Sequence, residues 1–122
     1  MVYTISRIKK QKGDRTMKIL VWQILDEKDE MLYAHYREWM RKCGAVDCSN
    51  YDLVWAGEVN TNDLEKVYEI FNTSRPKDSR GVEFAGHSMS VSDIVSTKDG
   101  VWFCDMIGWR NIKGEMINSV IQ

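Results

Sequence analysis

Residues 18–25 read Lys-Ile-Leu-Val-Trp-Gln-Ile-Leu. Apart from Lys18 and Gln23, every side chain in this run is apolar, and most are branched or aromatic. A half-buried strand alternates between apolar and polar residues. A run that does not alternate leaves neither face to water and predicts a central strand covered on both sides. The chain must therefore supply two apolar layers around this segment. The stretch Val2–Ile8 is expected to be a first strand, joined to it as a hairpin through the turn residues Gln11-Lys12-Gly13-Asp14.

The remaining elements follow from periodicity. Asp29–Lys42 predicts a helix: Leu32, Tyr36, Trp39 and Cys43 recur at helical spacing, acids open it, Arg41 and Lys42 close it, and Gly44 is its stop. His35 lies beside this stripe, as a boundary residue. Asn50–Val59 alternates as a strand, with Tyr51, Leu53, Trp55 and Val59 expected on one face. Capping residues Asn60-Thr61-Asn62-Asp63 precede Leu64, Val67, Tyr68 and Phe71, which predicts a second helix ending near Asn72. A polar loop from Thr73 to Gly81 holds the only proline, Pro76. Asp93–Thr97 and Val101–Ile107 flank the turn Lys98-Asp99-Gly100 and read as a second hairpin. The tail, with Ile112, Met116, Ile117, Val120 and Ile121, packs as a short strand or helix. The expected architecture is one α+β domain over residues 1–122, with a mostly antiparallel sheet of about five strands and two helices packed on one side.

Composition excludes several classes. At 122 residues the chain can bury one core without staples. No apolar run reaches the length of a membrane span, and the start lacks a signal-peptide core, so a cytoplasmic protein is expected. Three cysteines, Cys43, Cys48 and Cys104, suit a reducing compartment and complete no zinc quartet with His35 or His87. No metal and no cofactor is expected. The net charge of −1 is no footprint for nucleic acid, although Arg7, Lys9, Lys10, Lys12 and Arg15 concentrate positive charge near the start.

The segment Gly86-His87-Ser88-Met89-Ser90-Val91-Ser92-Asp93 holds the densest group of reactive side chains. Adjacent residues of an extended chain point to opposite sides, so His87 is poorly placed to activate Ser88, and no nucleophile elbow or phosphate loop is present. Gly86 permits unusual backbone, and Ser88, Ser90, Ser92 and Asp93 can bond to nearby amides. A structured turn into the last hairpin is the stronger reading. Arg75, Lys77 and Arg80 line the preceding loop and suit an anionic group or a solvated surface. Trp22, Trp39 and Trp55 belong to the core. Trp102 and Trp109 have opposite strand parities, which leaves one partly exposed, and Trp109-Arg110 fits an interaction anchor.

The run Gly86–Val95, followed by Phe103-Cys104-Asp105-Met106-Ile107-Gly108-Trp109, resembles the YodL-like domain. The helix Asp63–Asn72 and the Arg75-Pro76 loop look like that family's helix and connection, and the resemblance covers roughly residues 50–112. It implies a setting more than a reaction: such domains occur in plasmids, conjugative elements and phages beside anti-restriction modules, and the resemblance carries over no catalytic residues.

Three functions are therefore weighed. The leading one is a non-enzymatic protein-interaction module of a mobile element, an anti-defence factor against restriction or CRISPR being the specific case. Its binding surface would include Arg75, Lys77, Arg80, His87, Ser88, Ser90, Ser92, Asp93, Trp109 and Arg110. The second is a nucleic-acid binder using the basic first segment. The third is a small enzyme or nucleotide-binding domain centred on His87 and Asp93.

Overall fold

The computed structural model describes residues 16–119. The hairpin expected from Val2–Ile8 and the turn at Gln11–Asp14 lie outside the described residues, as do the basic residues Arg7 to Arg15. Five antiparallel strands form the main sheet: β1 (Met17–Gln23), β3 (Asp52–Val59), β4 (Ile94–Thr97), β5 (Gly100–Cys104) and β6 (Trp109–Asn111), in the order β3-β1-β4-β5-β6. A small parallel pair joins β2 (Val46–Asp47) to β7 (Met116–Ile117) in the tail. The helices are α1 (Tyr36–Cys43) and α2 (Leu64–Thr73). Both the α+β class and the five-stranded sheet agree with the sequence reading.

The helices do not share a side of the sheet. Trp39 of α1 packs with Trp22, Ile94, Val101 and Phe103, whereas Val67 and Phe71 of α2 pack with Ile19, Val21, Trp55 and Val95. Successive residues of β1 and β4 thus enter different cores, as the period of two requires. The unbroken apolar run of β1 already demanded this: one helix layer would have left Leu20 and Trp22, or Ile19 and Val21, exposed.

The first helix is shorter than its periodicity suggests. Residues 29–35 form turns in which Asp26 and Asp29 carboxylates accept from the backbone N–H groups of Lys28 and Met31. Tyr33 then takes a left-handed φ of 65°, which no helix interior tolerates. His35 caps the true start through Nδ1, and Gly44 ends the helix at φ 77°. The second helix runs as expected, with the Asp63 carboxylate accepting from the Glu65 N–H.

β3 does not keep one face. Val21 pairs with Trp55 but Trp22 pairs with Leu53, so Val54 is an extra residue opposite β1. The bulge places Val54 and Trp55 with the α2 core, while Tyr51 joins the α1 core. β5 also ends earlier than expected, at Cys104. Beyond it the Asp105 carboxylate accepts from the Met106 N–H, and the Asp105 N–H donates to the Gly108 carbonyl, which turns the chain into β6. That reversal sets Trp102 and Trp109 on the same side of the sheet, since each faces the pairing partner of the other's strand, Trp102 opposite Asn111 and Trp109 opposite Cys104. The tail folds over the α1 side through Ile112 and Met116.

Candidate functional site

The end of β1 and the loop before β4 meet in a buried polar cluster. Gln23 is fully buried, and its Nε2 donates to the His87 carbonyl at 2.8 Å and to Asp93 Oδ2 at 2.9 Å. Two acceptors fix the amide's orientation, because the flipped amide would set Oε1 against both oxygens. Oε1 is left buried with no hydrogen-bond partner among the described residues, facing Gly86. A Cβ on residue 86 would collide with that oxygen and come within 2.8 Å of the Phe84 ring, so glycine is needed here for close approach. Asp93 Oδ2 also accepts from the Ser90 N–H at 2.9 Å, which folds the loop into the turn expected from its serines.

His87 sits at the rim of this cluster. Its Nδ1 lies 2.8 Å from the Ser88 carbonyl oxygen and its Nε2 lies 3.1 Å from that of Ile24. Carbonyl oxygens only accept, so each contact is a hydrogen bond only when the ring nitrogen that makes it carries a proton. Asp93 Oδ1 lies 4.0 Å from Nε2. Burial pushes the Asp93 carboxyl up to about 7, against the Ser90 N–H, the His87 charge and the Gln23 amide, which all favour the ionised form. Both ring nitrogens face backbone carbonyls in this arrangement. The Tyr33 ring stands edge-on to His87 with centroids 5.5 Å apart.

The next residue of strain is adjacent. Ser92 has φ 86° and is buried. Its Oγ accepts from Trp39 Nε1 at 3.1 Å and lies 3.0 Å from the Tyr51 hydroxyl, which donates to the Ser92 carbonyl at 2.6 Å. Burial raises the Tyr51 hydroxyl well above its ordinary value and keeps it a donor. The Ser92 N–H donates to the Cys104 carbonyl. The loop is thereby tied to α1, to Tyr51 at the entry of β3 and to β5 together, and the strain at Ser92 is held by four bonds.

This geometry coincides with a sequence match. The YodL-like domain model matches residues 18–114, a span that includes β1, both helices and the whole His87–Asp93 loop. The chain belongs to the YodL-like domain family. No curated protein and no solved structure matches it. The match extends well beyond residues 50–112 and takes in β1 from Lys18, α1 and β2, which lie outside the resemblance.

The YodL-like domain distributes the other candidate residues over separate places. Arg75 Nη1 donates to the carbonyls of Phe84 and Gly86 at 3.2 and 2.7 Å, and its guanidinium lies 5.5 Å over the Phe84 ring, so it braces the loop. Arg80 pairs with Asp78 at 2.7 Å, and Lys77 bridges to Glu83 through the backbone. Ser88 and Ser90 form the turn beside His87, where Ser90 Oγ donates to the Ser88 carbonyl. Trp109 packs on the α2 side, and Arg110 crosses to the other, with its guanidinium 3.8 Å over the Tyr36 ring. Asp93 and Asp105 share no site: Asp105 Oδ1 accepts from the Tyr36 and Met106 N–H groups. Among the described residues no group of His, Cys, Asp and Glu could hold a metal ion, and no helix is long and apolar enough to cross a membrane.

Three features of the YodL-like domain escaped the sequence reading. Gln23 was visible as the lone amide in an apolar strand. Tyr33 carried no signal for its positive φ. Met106 and Ile107 read as strand interior, yet they form the tip of the β5–β6 turn, 69% and 95% exposed.

Proposed function

We propose that this YodL-like domain is a non-enzymatic protein-interaction module, the cytoplasmic accessory protein of a mobile genetic element, which acts by covering a partner's functional surface. A host defence component of the restriction or CRISPR kind is the specific partner class. The observation that carries the interaction reading is the β5–β6 tip. Single exposed apolar residues are ordinary, but Met106 and Ile107 stand together at the tip, and the half-buried Trp109 follows at the start of β6. An exposed aliphatic pair close to a Trp offers a partner an apolar anchor. The setting of His87 supports a non-catalytic role, because both ring nitrogens are occupied by backbone carbonyls. The mobile-element setting and the defence target are supported by the family resemblance alone.

The test is affinity capture from cells carrying the native element, with wild-type protein and Ile107→Ser compared side by side. A stoichiometric partner recovered by the wild type and lost from the variant is expected. Recovery of no stoichiometric partner, or equal recovery by the variant, overturns the reading.

A second reading has its own observation, the run of Arg7, Lys9, Lys10, Lys12 and Arg15 against Asp14 alone. Nucleic-acid binding through these groups would weaken steeply with salt. A gel shift at low ionic strength that shows no complex removes it.

A further inference from the structure

A cleft of about 150 Å³ lies on the α2 side of the sheet, between the first turns of α2 and the β5–β6 turn. Its lining includes Glu65, Tyr68, Val91, Asp105, Met106 and Trp109. Two carboxylates and two aromatic rings thus line one small space. A cavity of about this size holds a benzene-sized group, which is also the scale of a guanidinium with its last methylenes. Among the described residues no cation pairs with Glu65 or Asp105, although Glu38, Glu69 and Asp78 each have one. Of the basic residues close to them in sequence, Lys66 pairs with Glu69 at 3.5 Å, and Arg110 is turned to the opposite face by the alternation of β6 and lies over Tyr36.

We infer that this cleft is a recognition site for a basic side chain, arginine or lysine, of a partner protein. The carboxylates attract the charge, Tyr68 and Trp109 add cation–π attraction, and Val91 and Met106 cover the aliphatic stem. The α2 N-terminus opposes a cation only weakly. Its partial charge is about half a unit, and the Asp63 carboxylate that caps it offsets that charge. Asp105 Oδ1 is engaged by the Tyr36 and Met106 N–H groups, so Glu65 is the leading attraction and Asp105 adds to it. The inference names the chemistry of the partner and rests on the protein-interaction reading. A neutral apolar partner at the Ile107 tip would satisfy that reading without it.

The test titrates ¹⁵N-labelled protein at low ionic strength with N-acetyl-arginine amide, N-acetyl-lysine amide, spermidine and the uncharged N-acetyl-norleucine amide. Saturating shifts of the Tyr68 and Gly108 amides and the Trp109 indole N–H are expected with the two basic amides. Norleucine amide should bind at least about fivefold more weakly. The Glu65→Gln and Asp105→Asn variants, which keep shape and remove charge, should each weaken the basic amides by a similar factor. Equal binding of norleucine amide, no saturating shift, or variants that bind as the wild type overturns the inference. Spermidine binding more tightly than either amide overturns the assignment to a protein side chain. None of these results depends on capture of a partner through Ile107, so the two readings fail separately.

Discussion

Tyr51 donates its hydroxyl hydrogen to the carbonyl oxygen of Ser92 at 2.6 Å, across 41 residues of chain. The bond joins the residue just before β3 to the loop that carries His87 and Asp93, and it is buried. Removing the hydroxyl in Tyr51→Phe leaves the carbonyl without its donor and should cost about 1–3 kcal/mol, read as a lower urea midpoint with unchanged slope. The strain at Ser92 gives the same locus a second test. Ser92→Ala loses the acceptor of Trp39 and keeps the positive φ, whereas Ser92→Gly loses the acceptor and relieves the backbone. The glycine variant should be the more stable of the two by about 1 kcal/mol, and the reverse order would show that the strain is not borne there.

Gly86 is the tightest point of the polar cluster. Gly86→Ala places a methyl group against Gln23 Oε1 and the Phe84 ring, and both side chains are buried with nowhere to move. Overpacking of this kind costs about 1–3 kcal/mol. A thermal melt indistinguishable from wild type would refute the close approach.

Asp93 should make stability depend on pH in a direction opposite to most carboxylates. Its folded proton leaves near pH 7, the unfolded one near the ordinary value of about 3.9. Between these limits the folded protein binds more protons, so stability is greatest below about pH 4 and falls as pH rises to about 7. His87 is the ionisable side chain facing the carboxyl. Cys104, pushed up to about 12 by burial, and the raised Tyr51 stay neutral throughout the window. Urea unfolding at pH 5 and pH 8 should show wild type losing more stability than Asp93→Asn. Parallel losses in the two proteins would remove Asp93 as the cause.

His87→Ala separates scaffold from catalyst. The change removes the ring contacts to the Ile24 and Ser88 carbonyls and the imidazole that stands 4.0 Å from Asp93. A loss of about 1–3 kcal/mol in urea unfolding is expected. Full retention of stability would revive the reading of His87 as a group held ready for chemistry.

The sequence made visible those parts of the fold where one local rule decides the outcome. The unbroken apolar run of β1, the Asp63 cap of α2 and the Lys98-Asp99 turn each had no competitor. Where two rules compete, pattern reading chose the wrong one. Leu32 and Tyr36 share a helical spacing, but the Asp26 and Asp29 side chains take the backbone N–H groups first, and the helix starts only at Tyr36. Strict alternation placed Tyr51 with Trp55, because nothing in the residue types around Val54 marks it as unpaired. The candidate site was legible in composition but not in wiring. The serines and Asp93 stood out as turn formers, while Gln23 lies 70 residues away from Asp93 and meets it only through the β1–β4 pairing.

The extra residue in β3 has a consequence for how this chain can change length. Val54 and Trp55 point to one core and Tyr51 to the other, so β3 spans both layers with one position that matches nothing on β1. Losing Val54 alone would turn the bulge into regular pairing and leave Tyr51 and Trp55 on their own sides. Losing a residue anywhere from Ala56 to Glu58 would exchange inside for outside along the rest of the strand. Among single-residue deletions in β3, the one at Val54 is the one this fold can absorb.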